Sequence, residues 1–542
     1  MNTKMKTLFL TLVSLWLFNV GASGQQPIIE HEGARVPNTK EAVVSSLSLP
    51  KSLDLTAAVR EGRSLFDLGP VTDAENATAN EEMTKRRISG SPGPLRVGLV
   101  RPVGQSFGPA SFINAAAPAS DGEKQLWVTA LRSPGAAALR LHFVNFDVGR
   151  AAVTVYTRDG DEVITRGPFS GKGPDHDGDF WTASLPSDTV FIELSGAGQP
   201  RLEIAELMHL EQDPIATAQK QRWLSKGQGQ SNLVNAPAEL GCHLDVACEA
   251  VDSFARDATV QLNYQTGPTT IGRCSGTILN DLDGETVVPY LLTANHCNIT
   301  PANVGTLQVT FLFQRGSCGG SLPTNPPTLT GGVVLENNPQ GGNDMTFIRL
   351  NGQLPAGVTM AGWSTGGPDN NSYGIHHPDG AFKRVTFFEP SSYLPCTLEF
   401  DDEYHIVNPL RGGIEGGSSG SGLFNGSGRL IGQLRGRCGV SVDGNGNCSS
   451  DDGWRAVYGT FAITYPIIRR WLEIGGTINV NLFHGGNELG TPSQPYRTVT
   501  GGYNLAWNNT RLKIKPGNYN ERVTFSKPMT ILADGGPVII GR

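Results

Sequence analysis

The run Gly-Gly-Ser-Ser-Gly-Ser that begins at Gly416 places serine hydroxyls in a glycine-rich turn. Glycines let the chain turn sharply and bring backbone N–H groups close to a reacting carbonyl. Upstream lie His296, in the run Leu-Thr-Ala-Asn-His-Cys, and Asp344, in the run Gly-Asn-Asp-Met-Thr. A serine, a histidine and an aspartate in this order are the nucleophile, the proton carrier and the orienting acid of acyl transfer. The three segments together predict hydrolysis through an acyl-enzyme.

The predicted roles follow from what peptide hydrolysis needs. Ser419 attacks the carbonyl, and His296 takes the serine proton and returns it to the leaving amine. Asp344 fixes the imidazole tautomer and stabilises the imidazolium, and the backbone N–H groups of Gly417 and Ser419 form the oxyanion hole. The three side chains are far apart in the chain, so separate strands and loops must position them.

Composition limits the class of protein. The chain has 542 residues, enough for two to four domains, with 38% hydrophobic and 17% charged residues. This balance, rich in glycine and short turns, favours a soluble and mainly β protein. A net charge of −7 argues against a nucleic-acid partner, which would select a basic face. We expect protein or peptide substrates, whereas the sequence does not indicate an oligomeric state.

The first 24 residues have the pattern of a secretory signal peptide. Lys4 and Lys6 precede an apolar run that is too short to span a membrane, and Gly21–Gly24 provides small residues for cleavage. The sequence therefore predicts an extracellular protein that is not membrane-bound after the signal is removed.

All the cysteines lie in one part of the chain. They are Cys242, Cys248, Cys274, Cys297, Cys318, Cys396, Cys438 and Cys448. An even number in an exported chain indicates disulfides, and their confinement marks a domain. No pair has the C-x-x-C spacing of a zinc site, so we expect no metal and no cofactor.

Composition shifts divide the chain further. We predict a polar leader over residues 25–120, a β-sandwich of jelly-roll type over 121–212 and an exposed linker over 213–236. Lys226 lies in this linker as a candidate processing site, and Arg222 and Lys220 compete with it. The catalytic domain follows over 237–480, ends in a helix from Tyr465 to Ile474, and precedes a short β-helix-like segment over 490–542.

The catalytic region resembles a known family. Thr293–Cys297 is similar to the histidine motif of chymotrypsin-type serine proteases, and Gly417–Ser421 is similar to their serine motif. More narrowly, residues 237–475 resemble the bacterial lysyl endopeptidases, which are secreted Lys-specific serine proteases. Shared features include the run Cys-Ser-Gly-Thr from Cys274, the run Ala-Gly-Trp from Ala361 and the run Ile-His-His-Pro from Ile375.

The resemblance implies a two-barrel fold and a precursor whose N-terminal propeptide is removed on activation. It also implies disulfides between Cys274 and Cys297 and between Cys248 and Cys318. In the family the first cysteine pairs with one near the specificity pocket. Cys242 would then pair with Cys438 or Cys448, leaving Cys396 with the other.

The specificity pocket is predicted by the same resemblance. Asp452 aligns with the family aspartate that pairs with the substrate lysine, and Asp451 is one residue away. Arg435 stands where the lysyl enzymes have a histidine, so strict lysine specificity is in question. Either acid can instead be a solvated loop residue.

Several alternatives compete with this interpretation. Gly416-x-Ser418-x-Gly420 fits the nucleophile elbow of α/β-hydrolases, but that fold needs a helix after the elbow and a later histidine, for which only His484 is available. A protein with a protease-like fold but no activity, which serves only to bind partners, is the alternative outside the enzymes. The run His-His-Pro-Asp that begins at His376 is either a metal cluster or a structural strand, and Glu415 either lines the cleft or faces solvent.

Overall fold

The structure is a computed structural model of a mainly β chain, as predicted. It describes residues 27–37, 49–62, 64–87, 94–116, 125–159, 162–196, 201–213, 216, 242–339, 342–391, 403–439 and 454–541. The predicted signal peptide and nearly all of the predicted linker lie outside these ranges. Within the described ranges, no helix is long and apolar enough to cross a membrane.

The N-terminal part is a sandwich of two sheets. Two short strands that precede it, β1 (Glu30–His31) and β2 (Ala34–Arg35), belong to neither sheet of the sandwich. The strands of the sandwich are β3 (Leu65–Asp67), β4 (Leu95–Phe107), β5 (Ile113–Ala116), β6 (Gln125–Arg132), β7 (Ala138–Val144), β8 (Ala152–Asp159), β9 (Glu162–Ser170), β10 (Phe180–Trp181), β11 (Thr189–Gly196) and β12 (Leu202–Leu210), and this part also contains the helices α1 (Thr56–Glu61) and α2 (Asp73–Arg87). One sheet has the order β3-β6-β11-β8-β9, with β5 beside β6, and the other runs β10-β7-β12-β4. A core that includes Phe143, Phe146 and Phe180 fills the space between the sheets.

The first barrel of the predicted catalytic domain follows. Its elements are β13 (Leu244–Asp245), α3 (Ser253–Ala258), β14 (Thr259–Gln265), β15 (Thr270–Leu279), β16 (Tyr290–Ala294), β17 (Gln308–Thr310), β18 (Thr328–Thr330), β19 (Gly332–Asn338) and β20 (Met345–Leu350). Hydrogen bonds join them in the order β18-β17-β14-β15-β16-β20-β19, and β18 continues into β19 through Gly331. The sheet therefore curves almost into a closed barrel, while β13 pairs with the second barrel.

The second barrel closes completely. Its elements are β21 (Thr359–Met360), β22 (Trp363–Ser364), β23 (Ser372–His376), β24 (Arg384–Pro390), β25 (Tyr404–Arg411), β26 (Gly422–Phe424), β27 (Leu430–Cys438), β28 (Arg455–Thr460) and α4 (Phe461–Ile474). The pairings run β23-β24-β25-β28-β27-β26 and return to β23. Helix α4 begins four residues before the predicted Tyr465, because Pro466 is accommodated inside the helix instead of starting it.

The last part is a short stack of parallel strands. It contains β29 (Thr477–Val480), α5 (Val499–Leu505), β30 (Thr510–Ile514), β31 (Gly517–Tyr519), β32 (Met529–Ala533) and β33 (Val538–Ile540). The parallel pairings β29-β30-β32 and β31-β33 are those of a β-helix-like segment. Residues 523–525 form no strand, although the apolar side chains of Val523 and Phe525 pack on this core.

The region predicted as a polar leader contains ordered elements that join the domains. Strand β4 pairs with β12 of the sandwich and also with β15 of the first barrel, where Leu99 lies opposite Thr270. Near the N-terminus, β1 pairs with β22 and β2 pairs with β21. Two glycines, a proline and polar residues interrupt the alternation of apolar and polar residues in β4, so its pattern alone did not predict a strand.

Candidate active site

His296 lies where β16 ends, in a tight turn from Asn295 to Cys297. The disulfide between Cys274 and Cys297 fixes this turn to β15, as the family resemblance implied. The hydroxyl of Tyr264 donates to the Cys297 carbonyl at 2.6 Å. The turn that carries the His296 imidazole is therefore fixed by two contacts at Cys297, the disulfide and the hydrogen bond from Tyr264.

Asp344 immediately precedes β20, which pairs with β16 in a register that places Met345 opposite Ala294. Its Oδ1 accepts the backbone N–H of His296 at 2.8 Å, and its Oδ2 lies 2.6 Å from His296 Nδ1. The Asp344 carboxylate thus contacts His296 at two atoms, the backbone nitrogen and Nδ1. The contact at Nδ1 favours the tautomer that has its proton on Nδ1, which leaves Nε2 free to accept a proton. The backbone of Asp344 has a φ of +58°, a costly conformation for a residue with a side chain.

Ser419 lies in a loop that depends on glycine. Gly417 has a φ of +91° and Gly420 a φ of +80°, values that side chains rarely permit. A Cβ at Gly420 would also lie 2.6 Å from the Ser275 carbonyl oxygen. The Ser275 amide donates to the Ser419 carbonyl at 2.8 Å. This close approach brings the serine loop of the second barrel against the strands that carry the histidine.

The Ser419 hydroxyl is not hydrogen-bonded to His296 in the described contacts. The Nε2 atom of His296 is buried and has no hydrogen-bond partner there. Catalytic hydrogen bonds are often long or misaligned in proteins without substrate and tighten when substrate binds. The free lone pair of Nε2 is what a general base requires.

Two peptide groups of the loop are oriented as an oxyanion hole requires. The Gly416 carbonyl accepts the Asp379 amide N–H at 2.7 Å, and the Ser418 carbonyl accepts that of Ser421 at 3.1 Å. Because a trans peptide points its C=O and N–H in opposite directions, the amide protons of Gly417 and Ser419 face away from these partners. Neither amide donates a hydrogen bond to another group in the described part of the chain.

Arg435 and Tyr404 are the site residues whose position sequence reasoning missed. The Nε atom of Arg435 lies 3.6 Å from Asp344 Oδ2, and the arginine side chain is almost buried. The hydroxyl of Tyr404 donates to the Gly342 carbonyl, close to the aspartate. Burial, followed by the charge of Asp344, raises the pKa of Tyr404 to about 12, so its hydroxyl keeps its proton. The sequence showed Arg435 only as a departure from the family at the specificity pocket.

The other candidate residues of the sequence analysis either lie outside the described ranges or contact groups outside the candidate triad. Asp452 and Asp451 lie outside the described residues, so their roles stay predictions. Glu415 neither faces open solvent nor stands alone, because its Oε2 lies 3.1 Å from His243 Nε2. The His376 ring is occupied by two hydroxyl groups and His377 Nδ1 by the Ala381 carbonyl at 3.0 Å, which fits the structural alternative for this segment.

Four of the eight cysteines form the disulfides that the resemblance implied. Cys248 bonds to Cys318, in addition to the bridge at the histidine loop. Cys242 and Cys438 are also disulfide-bonded, whereas Cys396 and Cys448 lie outside the described ranges. The pairing within this second group of four stays a prediction.

Comparison with known proteins gives the same assignment for this domain. Residues 238–456 match the family model of the lysyl endopeptidase C-terminal domain. The predicted resemblance to lysyl endopeptidases is confirmed. The lysyl endopeptidase of Pseudomonas aeruginosa is 28% identical over 279 residues, which cover 49% of this chain and 58% of that protein. The match therefore spans little more than half the length of this relative.

Solved structures of proteases are more distant neighbours. The active form of the Rv3671c protease from M. tuberculosis has a TM-score of 0.27 at 11% identity, covering 44% of this chain and 92% of its own. An inactivated protease paralogue of the scabies mite has a TM-score of 0.28 at 14% identity, covering 41% of this chain and 97% of its own. The geometry of His296, Asp344 and the serine loop, and not these scores, defines the candidate site.

Proposed function

We propose that the protein is a secreted serine endopeptidase, made as a precursor, that cleaves peptide bonds after basic residues and favours lysine. One observation carries the proposal: Asp344 Oδ2 lies 2.6 Å from Nδ1 of the buried His296 ring, beside the serine loop. In that loop the amides of Gly417 and Ser419 donate to no group among the described residues. The match of this domain to lysyl endopeptidases supports the reaction class.

The proposed reaction follows the geometry. Ser419 Oγ bonds to the substrate carbonyl carbon while its proton moves to His296 Nε2, and the oxyanion is stabilised by the amides of Gly417 and Ser419. The tetrahedral intermediate collapses, the C–N bond breaks, and the histidine gives the proton to the leaving amine. Water then repeats the sequence on the ester, which releases the acid and regenerates the serine.

An active-site label tests this proposal. A fluorophosphonate probe should react with the processed wild-type protein and fail to react with Ser419→Ala. Ser427→Ala is a matched control, because Ser427 is an exposed serine in a turn of the same barrel. Absence of labelling in the wild type, under conditions that label a reference protease, would instead support an inactive binding protein.

The preference for lysine is tested separately. Because a carboxylate at a pocket base pairs with a basic side chain, peptides from a digested denatured protein should end in Lys, with Arg tolerated. Asp452→Asn should lower kcat/KM for such substrates by about 100-fold or more, as loss of a buried charge partner does, whereas Asp451→Asn should not. Cleavage after Leu or Glu would refute the role of Asp452.

The proposed precursor is tested by its own processing. If the enzyme removes its N-terminal part, the wild type should accumulate a new N-terminus within residues 213–241, and Ser419→Ala should stay intact. N-terminal sequencing of the cleaved product distinguishes Lys226 from Arg222 and Lys220. Intact wild-type protein with full activity would contradict the precursor proposal without affecting the catalytic one.

A further inference from the structure

A chain of buried hydrogen bonds lies behind the nucleophile loop and uses the hydroxyl of Ser418. Ser418 is fully buried, so its hydroxyl cannot reach a substrate. Its Oγ accepts the Glu415 amide N–H at 3.2 Å and lies 2.9 Å from His376 Nδ1. Ser418, which is next to the proposed nucleophile, is therefore hydrogen-bonded to His376, a histidine that is not one of the proposed catalytic residues.

The other side of the same imidazole reaches a second hydroxyl. His376 Nε2 lies 3.0 Å from Thr386 Oγ1, and Thr386 donates to the Gly413 carbonyl at 3.2 Å. A carbonyl can only accept, so the hydroxyl proton of Thr386 is donated to the Gly413 carbonyl. The Oγ1 atom of Thr386 therefore accepts the hydrogen bond from the N–H at His376 Nε2. The neutral ring then has a lone pair on Nδ1, which accepts the Ser418 proton.

Each hydrogen bond in this chain therefore has one direction. The Glu415 amide donates to Ser418, and the Ser418 hydroxyl donates to His376 Nδ1. On the other side of the ring, His376 Nε2 donates to Thr386, and the Thr386 hydroxyl donates to the Gly413 carbonyl. Both ends lie in the loop that leads to the nucleophile. Burial of His376 holds its pKa well below the usual range, which keeps the ring neutral.

The residues after His376 hold the next part of the loop. The His377 amide donates to Ser275 Oγ at 3.0 Å, and that hydroxyl donates to the Gly417 carbonyl at 2.8 Å. The Asp379 amide holds the Gly416 carbonyl, the contact that turns the Gly417 N–H toward the oxyanion hole. Three consecutive loop residues are therefore fixed by one segment, His376–Asp379.

We propose that His376 is a positioning residue of the oxyanion hole, acting through the hydroxyls of Ser418 and Thr386 without touching the substrate. This inference rests on the proposed peptidase function. The uncharged His376 ring, on β23, is hydrogen-bonded through one nitrogen to Thr386 on β24 and through the other to Ser418 in the nucleophile loop. These two bonds fix the position of the loop relative to both strands. A preorganised loop keeps the amides aimed at the developing oxyanion and avoids reorganisation during the reaction.

The threonine offers a matched pair of variants. Thr386→Val keeps the shape but removes the hydroxyl, and Thr386→Ser keeps the hydroxyl. With a peptide p-nitroanilide ending in lysine, we expect Thr386→Val to lower kcat about tenfold, less than the roughly 100-fold or greater loss on removing an oxyanion donor. KM should change by less than about twofold, because ground-state contacts are untouched, and Thr386→Ser should recover most of kcat.

A second readout separates positioning from a general loss of stability. A peptide aldehyde forms a hemiacetal whose oxygen occupies the oxyanion hole, so its inhibition constant should weaken in Thr386→Val by the same factor as kcat. Thr359→Val is the control, since the buried Thr359 hydroxyl donates to the Phe254 carbonyl outside the site. It should lose comparable thermal stability with unchanged kcat. His376→Phe should reproduce the Thr386→Val pattern if it folds.

The outcomes distinguish the two proposals. A wild type that neither hydrolyses peptides nor reacts with fluorophosphonate contradicts the proposed function itself. An active wild type in which Thr386→Val has the kcat and aldehyde affinity of Thr386→Ser contradicts the positioning role alone. A fall in kcat with no change in aldehyde affinity also contradicts it, because the oxyanion hole would then be intact.

Discussion

At the residue scale, Asp344, the aspartate of the candidate active site, has a cation beside it. Asp344 is fully buried, and Arg435 Nε lies 3.6 Å from the oxygen that also faces His296. A buried carboxylate is costly unless hydrogen bonds and opposite charge offset its desolvation. The guanidinium of Arg435 supplies an opposite charge that helps to offset the desolvation of this carboxylate.

This contact gives a prediction for Arg435→Gln. Loss of the charge leaves Asp344 less well compensated, so we expect kcat to fall about tenfold with KM changed by less than about twofold. Arg437→Gln is the control, since Arg437 lies on the same strand, β27, but is exposed. Equal kcat values for the two variants would show that Arg435 does not act on the triad.

The sequence predicted His296, Asp344 and Ser419 as candidate catalytic residues, but it did not predict that Arg435 lies beside Asp344, for a physical reason. His296, Asp344 and Ser419 each stand in a short segment that can be read directly from the sequence. Arg435 reaches Asp344 only because two barrels pack together, and no local pattern encodes that distance. The hydroxyl chain through His376 is non-local in the same way, since Ser418 and Thr386 come from different parts of the second barrel.

At the element scale, the strand and turn after His377 bury a lysine. Lys383 donates to the Arg256 carbonyl at 2.5 Å and to Gln314 Oε1 at 2.7 Å, and it is fully buried. Burial lowers its pKa to about 7, while Asp257 opposes the shift. The unfolded lysine has a pKa near 10.4, so between about pH 7 and 10 the unfolded chain binds more protons than the folded one.

The sign of the pH effect follows from this difference. Stability rises with pH wherever the unfolded state holds more protons. The free-energy cost of burying Lys383 should therefore shrink progressively from about pH 7 to 10, and the fold should become more stable. The measurement uses a Ser419→Ala background, to prevent self-digestion by the proposed peptidase. The Tm difference between this parent and its Lys383→Met variant should change steadily over this range, in the direction that favours the parent at higher pH. Lys172→Met, at an exposed lysine, should give no such trend. A constant difference for Lys383→Met would show that the lysine is charged throughout.

At the scale of the whole molecule, the sandwich and the catalytic domain share one sheet. Strand β4 pairs with strands of both, a feature that the polar composition around it concealed. Side chains add to this junction: Arg140 Nη1 donates to the Thr306 carbonyl at 2.7 Å, and the Ser184 amide donates to Gln308 Oε1 at 2.7 Å. The sequence predicted the two domains separately, because each has its own strands with alternating apolar and polar residues. The shared sheet depends on the pairing of strand edges from distant parts of the chain, which no local pattern shows.

This junction predicts that the two parts stay together after the linker between them is cleaved. Continuous backbone pairing and the buried Arg140 contact should keep the cleaved N-terminal part bound, so both fragments should co-elute in size-exclusion chromatography. Arg140→Ala removes the donor and leaves the buried Thr306 carbonyl unpaired, at a cost of about 1–3 kcal/mol. This cost should weaken the association of the two fragments about 5- to 150-fold. Arg150→Ala, at an exposed arginine of the sandwich, should leave the fragments together. Fragments that separate in the wild type would show that the shared sheet is too weak to hold the two parts without the covalent link.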